Sequence, residues 1–252
     1  MPKPFSVCLS IILLAGALAL DLSQSRESVQ AAQRAPVKII FDTDIESDVD
    51  DVGAVAVLHA LADRGEAEVL AMGISATNEW CAPCLDALNT YYGCGDIPIG
   101  MVKGPGAPRG ESKYCKPIAE EYPHKLKSGN DAPDVVEVYR RVLAKQADHS
   151  VVMVSVGFLT NFANLLKSKA DANSPLDGPE LVRRKVRAWV CMGGTFPKGR
   201  EWNIHRDAAS SQRAITHWPT LIVFSGFEIG KQIFTGAKLK ETPEKKIGRA
   251  HV

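Results

Sequence analysis

Six acidic side chains fall within ten consecutive positions of this chain, Asp42-Thr43-Asp44-Ile45-Glu46-Ser47-Asp48-Val49-Asp50-Asp51, with no Lys or Arg among them. Carboxylates this close repel one another, and most stay ionised only beside a counter-charge. A hard divalent cation with oxygen ligands, Ca²⁺ or Mg²⁺, supplies one. A solvated loop in which Asp48 or Asp50 caps a helix uses one or two of the acids and leaves the rest unexplained. The pattern therefore points to a metal site. An EF-hand does not fit, because the sixth and twelfth places of such a loop would be Ser47 and Gly53, where Gly and Glu are needed.

The acids stand between an apolar run at 37–41 and an apolar helical one at 52–61, so a strand must deliver them and a helix must carry the chain away. The alternation continues. Strands are expected at 37–41, 69–74, 97–101, 151–156, 186–191 and 220–224, with helices at 50–62, 81–92, 132–146, 159–167 and 207–217. Strands rich in Val and Ile, most followed by a helix, imply an α/β fold: a doubly wound, mainly parallel sheet with helices on both faces. Ligands of such sheets collect at the carboxyl ends of the strands. Four loops there carry the unusual polar residues: the acidic loop, Thr77-Asn78-Glu79, Gly157-Phe158-Leu159-Thr160-Asn161, and the loop from Met192 to Asn203. The stretch from Lys103 to Asp131, with its Gly, Pro and charged residues, reads as a lid or an extended surface connection.

Composition narrows the class. The chain has 252 residues, 45% hydrophobic and 23% charged, which suits one globular domain. A net charge of +1 gives no electrostatic case for nucleic acid or an anionic membrane. Residues 1–35 read as a secretory signal and polar leader: Lys3, then an apolar run from Phe5 to Leu20, then polar residues, so export is expected. Removing that leader leaves five cysteines, 81, 84, 94, 115 and 191. Cys81-Ala82-Pro83-Cys84 has redox-like spacing but no second pair to complete a zinc site, so a local disulfide or two helix-start thiols is expected. His59 reads as an ordinary helix residue, Asp207 as an N-cap, and Asp86 and Asn89 as local hydrogen-bonders.

Three elements together resemble the inosine–uridine-preferring nucleoside hydrolases: the aspartate motif from Asp42 to Asp51, Gly157-Phe158-Leu159-Thr160-Asn161, and Met192-Gly193-Gly194 followed by Glu201-Trp202-Asn203. They occur in the family's order, each after an expected strand. The resemblance implies Ca²⁺ held by Asp44, Asp51 and the carbonyl of Thr160. It implies that Asp50, Asn78, Glu201 and Asn203 bind ribose hydroxyls, with Met192 lining the sugar pocket. Asp44 would take the proton of a metal-polarised water that attacks the anomeric carbon. A carboxylate-rich cradle suits the cationic transition state of N-glycosidic cleavage. The implied partner is a small nucleoside, with a homo-oligomer of two or four copies.

The chain departs from the family where Glu46 replaces a usual Gly, a place where glycine geometry is expected, and in the six residues between Asp44 and Asp51, more than the shortest family form has. Asp48 is therefore an alternative sugar partner to Asp50, which keeps its place beside Asp51. Nothing after Phe227-Glu228-Ile229-Gly230 resembles the family's further calcium-binding aspartate. Residues 247–252 translate ATC GGA AGA GCA CAC GTC, the start of a common sequencing adapter, so 36–246 is expected to be a C-terminally incomplete domain with a non-native tail. Two rival functions are a haloacid-dehalogenase-type phosphatase, which leaves Thr160 and the Glu-Trp-Asn loop unexplained, and an exported nucleoside- or sugar-binding protein without catalysis.

Overall fold

The computed structural model describes residues 35–104, 108, 110–235 and 237. The expected leader, apart from Ala35, and the expected tail at 247–252 lie outside them. Among the described residues no helix is long and apolar enough to cross a membrane.

The strands are β1 (Val37–Thr43), β2 (Ala67–Ile74), β3 (Ile99–Met101), β4 (Val151–Ser155), β5 (Val186–Met192) and β6 (Leu221–Ser225). They form one sheet in the order β3-β2-β1-β4-β5-β6, with every neighbouring pair parallel. Chain order reverses between β1 and β4, and in such a sheet a crevice opens beyond the carboxyl ends at that point. The helices among the described residues are α1 (Asp50–Asp63), α2 (Cys81–Tyr91), α3 (Cys115–Glu121), α4 (Val135–Ala144), α5 (Thr160–Lys167), α6 (Gly178–Lys185), α7 (Trp202–Arg206), α8 (Ala208–His217) and α9 (Phe227–Gly230).

Side chains alternate across β1 and so feed two cores, as a sheet buried on both faces requires. Phe41 packs with Val52, Val55, Leu85, Leu88 and Cys115 of α1, α2 and α3. Ile40 packs with Tyr139, Leu143, Phe162, Val182 and Ala214 of α4, α5, α6 and α8. Under β5 the second core is closed by Trp189, whose ring lies 4.7 Å from Phe162 and 5.0 Å from Trp218. Its indole N–H donates to Ser155 Oγ at 2.8 Å, which satisfies the one polar atom of a fully buried ring.

Side-chain caps set several helix starts. Asp134 accepts the Val136 N–H and starts α4 later than the expected residue 132. Asp177 accepts the Glu180 N–H and opens α6, which also has a Pro in its first turn and three basic residues in its last. Asp207 caps α8, as expected. Asp86 and Asn89 differ from expectation, since their partners are distant in sequence. Asp86 accepts the N–H groups of Lys125 and Leu126 at 2.6 and 2.8 Å, and Asn89 Oδ1 meets His59 Nε2 at 2.8 Å. With Gly129 N–H bonded to Glu79 O at 2.7 Å, the later half of the 103–131 stretch is a packed connection that carries α3.

Candidate functional site

The acidic motif runs off the end of β1 into α1. Asp42 is still in the strand, paired in register with Gly73 on one side and Ser155 on the other. It is fully buried, accepts from Asn161 Nδ2 at 2.7 Å and from the Tyr139 hydroxyl, and its Oδ1 has no partner among the described residues. Burial pushes its pKa up to about 7 against the pull of those two donors. Asp44 and Asp51 are buried too, and Thr43 Oγ1 donates to Asp51. Asp48 and Asp50 are exposed. The N-cap residue of α1 is Val49, without a side-chain cap, so capping accounts for none of the acids.

The loop turns sharply at Ile45, whose φ of 43° lies in the left-handed region that a β-branched residue rarely adopts. The glycine-demanding position is therefore Ile45 and not Glu46. Glu46 instead extends from the loop and accepts the Gly110 N–H at 2.9 Å, tying the acidic loop to the connection that follows β3.

The loop after β4 presses directly on this motif. A Cβ on Gly157 would lie 2.3 Å from the Asp44 N atom and 2.7 Å from Ser75 Oγ, so only glycine allows the approach. Val156 N–H donates to Asp42 O at 2.8 Å. Thr160, buried at the start of α5, donates its hydroxyl to Asp207 Oδ2 at 2.6 Å, which ties this loop to the start of α8.

The β5 loop arrives from the other side. Asn203 Nδ2 donates to Val156 O at 2.8 Å and lies 3.4 Å from Met192 Sδ, so Met192, Asn203 and the β4 loop form one wall. Glu201 caps α7: Oε1 accepts the Asn203 N–H at 2.8 Å, and Oε2 those of Ile204 and Gly194 at 3.0 and 3.1 Å. Arg206 on the same helix lies near enough to Glu46 to favour its charged form. Asn78, after β2, is half-buried, and its Oδ1 accepts the Trp80 N–H at 3.0 Å. Trp202 is 58% exposed, with the Arg206 guanidinium over its ring. A cavity of about 450 Å³ borders this loop, lined by Gly194, Phe196, Arg200, Glu201, Ile204 and Phe224 among others, and by none of the aspartates.

The electrostatics fit a bound cation. Burial and then Glu46 push Asp44 up to about 7, burial and then Asp44 push Asp51 well above the carboxylate range, and burial and then Asp48 raise Asp50. No ion pair among the described residues involves them. Asp48, Asp50 and Asp51 bring one oxygen each within 4.8 Å of one another and could hold a metal ion. Asp44 and Thr160 are not in that trio, although Asp44 is the strongest charged neighbour of Asp51.

Sequence reasoning passed over Asp42 as an organiser of the site, although its position in an apolar strand was a signal. It also passed over Cys115, which no spacing rule joins to Cys81 and Cys84. All five cysteines among the described residues are free thiols, and Cys81 is the first residue of α2, as one of the two expectations had it.

A search of curated proteins returns no match. Solved structures with a similar fold include a plant nucleoside hydrolase, PpNRh1, at 22% identity and TM-score 0.60, with 82% of this chain and 65% of that one covered. The type III effector protein XopQ, in complex with adenosine diphosphate ribose, is 15% identical at TM-score 0.59, with 77% of this chain and 57% of that one covered. The effector protein XOO4466 is likewise 15% identical at TM-score 0.58, with 77% and 56% covered. This chain thus spans between 56 and 65% of their lengths, and at these identities the likeness is one of fold. The acidic loop, the Gly157 loop and the α7 loop, gathered at the carboxyl ends of β1, β4 and β5, fall within a match to one family model over residues 39–250. By that match the chain belongs to the inosine-uridine preferring nucleoside hydrolase family.

Proposed function

We propose that this chain hydrolyses the N-glycosidic bond of a ribonucleoside at the acidic loop, with Ca²⁺ as the bound cation. The observation that carries the reading is a set of buried carboxylates, Asp44 and Asp51 foremost, raised in pKa and without an ion pair among the described residues, at the carboxyl ends of β1 and β4. Asp44, Asp51 and the Thr160 carbonyl would hold the ion, which when bound makes a coordinated water more acidic. Asp44 takes the water's proton. Burial and Glu46 raise Asp44 to about 7 in the empty site, and a cation beside it lowers that value and keeps the carboxylate ionised at neutral pH, as a base requires. Asp50, Asn78, Glu201 and Asn203 bind the ribose hydroxyls, and Met192 lines the sugar. These acids and amides pair with neutral hydroxyls, and the carboxylates stabilise the positive charge that grows on the ribosyl ring. Export and self-association remain part of this proposal.

Two observations favour a second reading, a ribosyl-binding protein without hydrolysis: Glu201 already engages both oxygens with backbone N–H groups, and the similar XopQ structure holds adenosine diphosphate ribose. The test is to incubate the full chain with Ca²⁺ and inosine, uridine, adenosine, cytidine or adenosine diphosphate ribose. Free base and reducing sugar are then measured. Release of both from a nucleoside supports hydrolysis. Saturable binding without release supports the second reading, and neither binding nor release overturns both.

A further inference from the structure

Three of the five cysteines among the described residues, separated by up to 34 positions in sequence (81 to 115), meet beneath the acidic loop. Cys81 opens α2, Cys84 lies one turn further along it, and Cys115 opens α3. None has accessible surface. Cys115 Sγ donates to the Ile45 carbonyl at 3.0 Å, and Cys81 Sγ to the same oxygen at 3.4 Å. Cys81, with one S–H to give, serves either that carbonyl or the Cys115 sulfur, and Cys84 is the second thiol beside Cys115. These two donors draw the Cys115 pKa down to about 4, while the Ile45 carbonyl beside it opposes ionisation by accepting its proton. Of the three, Cys115 loses its proton most readily.

Ile45 is the left-handed residue of the loop, and Asp44 and Glu46 flank it. Its carbonyl is buried at the turn, so the two thiols satisfy an acceptor that would otherwise be costly to bury.

We infer that Cys81 and Cys115 are a redox pair that closes to a disulfide beneath the acidic loop when a small-molecule disulfide or a disulfide-bearing oxidoreductase is the oxidant. The thiolate of Cys115 attacks the oxidant's S–S bond, releasing one thiol and leaving a mixed disulfide on Cys115. Cys81, having lost its proton, attacks the Cys115 sulfur and releases the second thiol. Two protein thiols are oxidised, one external disulfide is reduced, and no further reactant is needed. Access comes through α3, a seven-residue helix that buries only Cys115 and Ala119. Closure joins the starts of α2 and α3 covalently and withdraws both S–H donors from Ile45, loosening the turn that aims Asp44. The effect on hydrolysis rests on the function proposed above, whereas the cross-link does not.

The experiment equilibrates the full chain in glutathione buffers from fully reduced to fully oxidised, blocks remaining thiols under denaturing conditions and maps tryptic peptides without reduction. The expected result is loss of two thiols and a link between peptides 65–103 and 114–125. The link should persist in Cys84→Ser and Cys94→Ser and vanish in Cys115→Ser and Cys81→Ser. Should a variant fail to fold, cleavage before Asp86 separates Cys94 in the wild-type linked peptide, and fragment sequencing distinguishes Cys81 from Cys84. Thiols that all stay free in oxidised glutathione, a link made by Cys84, or a stoichiometric soft metal ion released by a mercurial would each overturn the inference. A protein that fails to hydrolyse nucleosides but forms the link would keep it.

Discussion

Two charged clusters among the described residues, one around buried Arg140 and one around buried Asp44 and Asp51, are built in opposite ways. Arg140, 2% exposed, donates to both oxygens of Asp171 at 2.9 and 3.0 Å, to Ser168 Oγ at 2.9 Å, and to the carbonyls of Ser174 and Leu176 at 3.1 and 2.8 Å. Its guanidinium holds Asp171 below the usual carboxylate range. In the acidic loop the charged groups that act most strongly on Asp44 and Asp51 are other carboxylates, and burial with that repulsion moves both pKa values up. A saturated pair fastens a loop, here residues 168–177 against α4. An unsaturated cluster, costly to leave uncompensated, is the signature of a place where something else binds.

Breaking each cluster should separate the two roles. Asp44→Asn is expected to lower kcat by about 10²–10⁴-fold, the range for a general base. In metal-free protein it should raise the urea midpoint, because one of the mutually repelling charges is gone. Arg140→Met should do the reverse, costing about 1–3 kcal/mol in urea unfolding by leaving the Ser174 and Leu176 carbonyls without their donor, with kcat nearly unchanged in the folded fraction.

The pH dependence sharpens the contrast because the signs are opposite. Asp42 and Asp44 have folded pKa values raised from 3.8 to about 7. Their contribution to stability is full below pH 3.8 and is lost as pH rises through about 7. Asp171, lowered, contributes above its ordinary value of 3.8 and loses that contribution below it. Between about pH 4 and 7 the acidic motif therefore lowers stability as pH rises, while His59, whose pKa burial lowers, acts in the opposite direction below its ordinary value of 6.5. Urea midpoints of chelated protein should fall across that window, and saturating Ca²⁺ should remove the part of the fall that Asp44 contributes and leave that of Asp42.

The smallest expected effect comes from Gly157→Ala, which forces a methyl group onto the Asp44 N atom. It should cost about 1–3 kcal/mol by overpacking and lower Ca²⁺ affinity through displacement of the loop. Calorimetric melting with and without the ion reads both.

The sheet was legible because its strands are Val- and Ile-rich runs between polar loops, and all six appear within about two residues of the expected positions. The acidic loop was legible because the carboxylates are adjacent in sequence. What distant residues do to one another was not. Helix α3 buries two side chains and α6 three residues, one of them Gly178, too little for an apolar period to reveal. The role of Gly157 depends on how close β4 brings it to Asp44, and that of Glu201 as a cap on the fold of α7. Ile45 adopts its left-handed turn inside packing that no local preference of isoleucine would suggest.

The most direct test of the acidic loop as a functional cation site is calorimetric titration of Ca²⁺ into chelator-stripped protein at pH 7, beside Asp51→Asn. The account predicts saturable binding by the wild-type chain, with proton release, and at least about tenfold weaker binding by the variant, a difference of about 1.4 kcal/mol. Equal binding by the two, or no binding by a folded wild-type chain that still hydrolyses nucleosides, would contradict it.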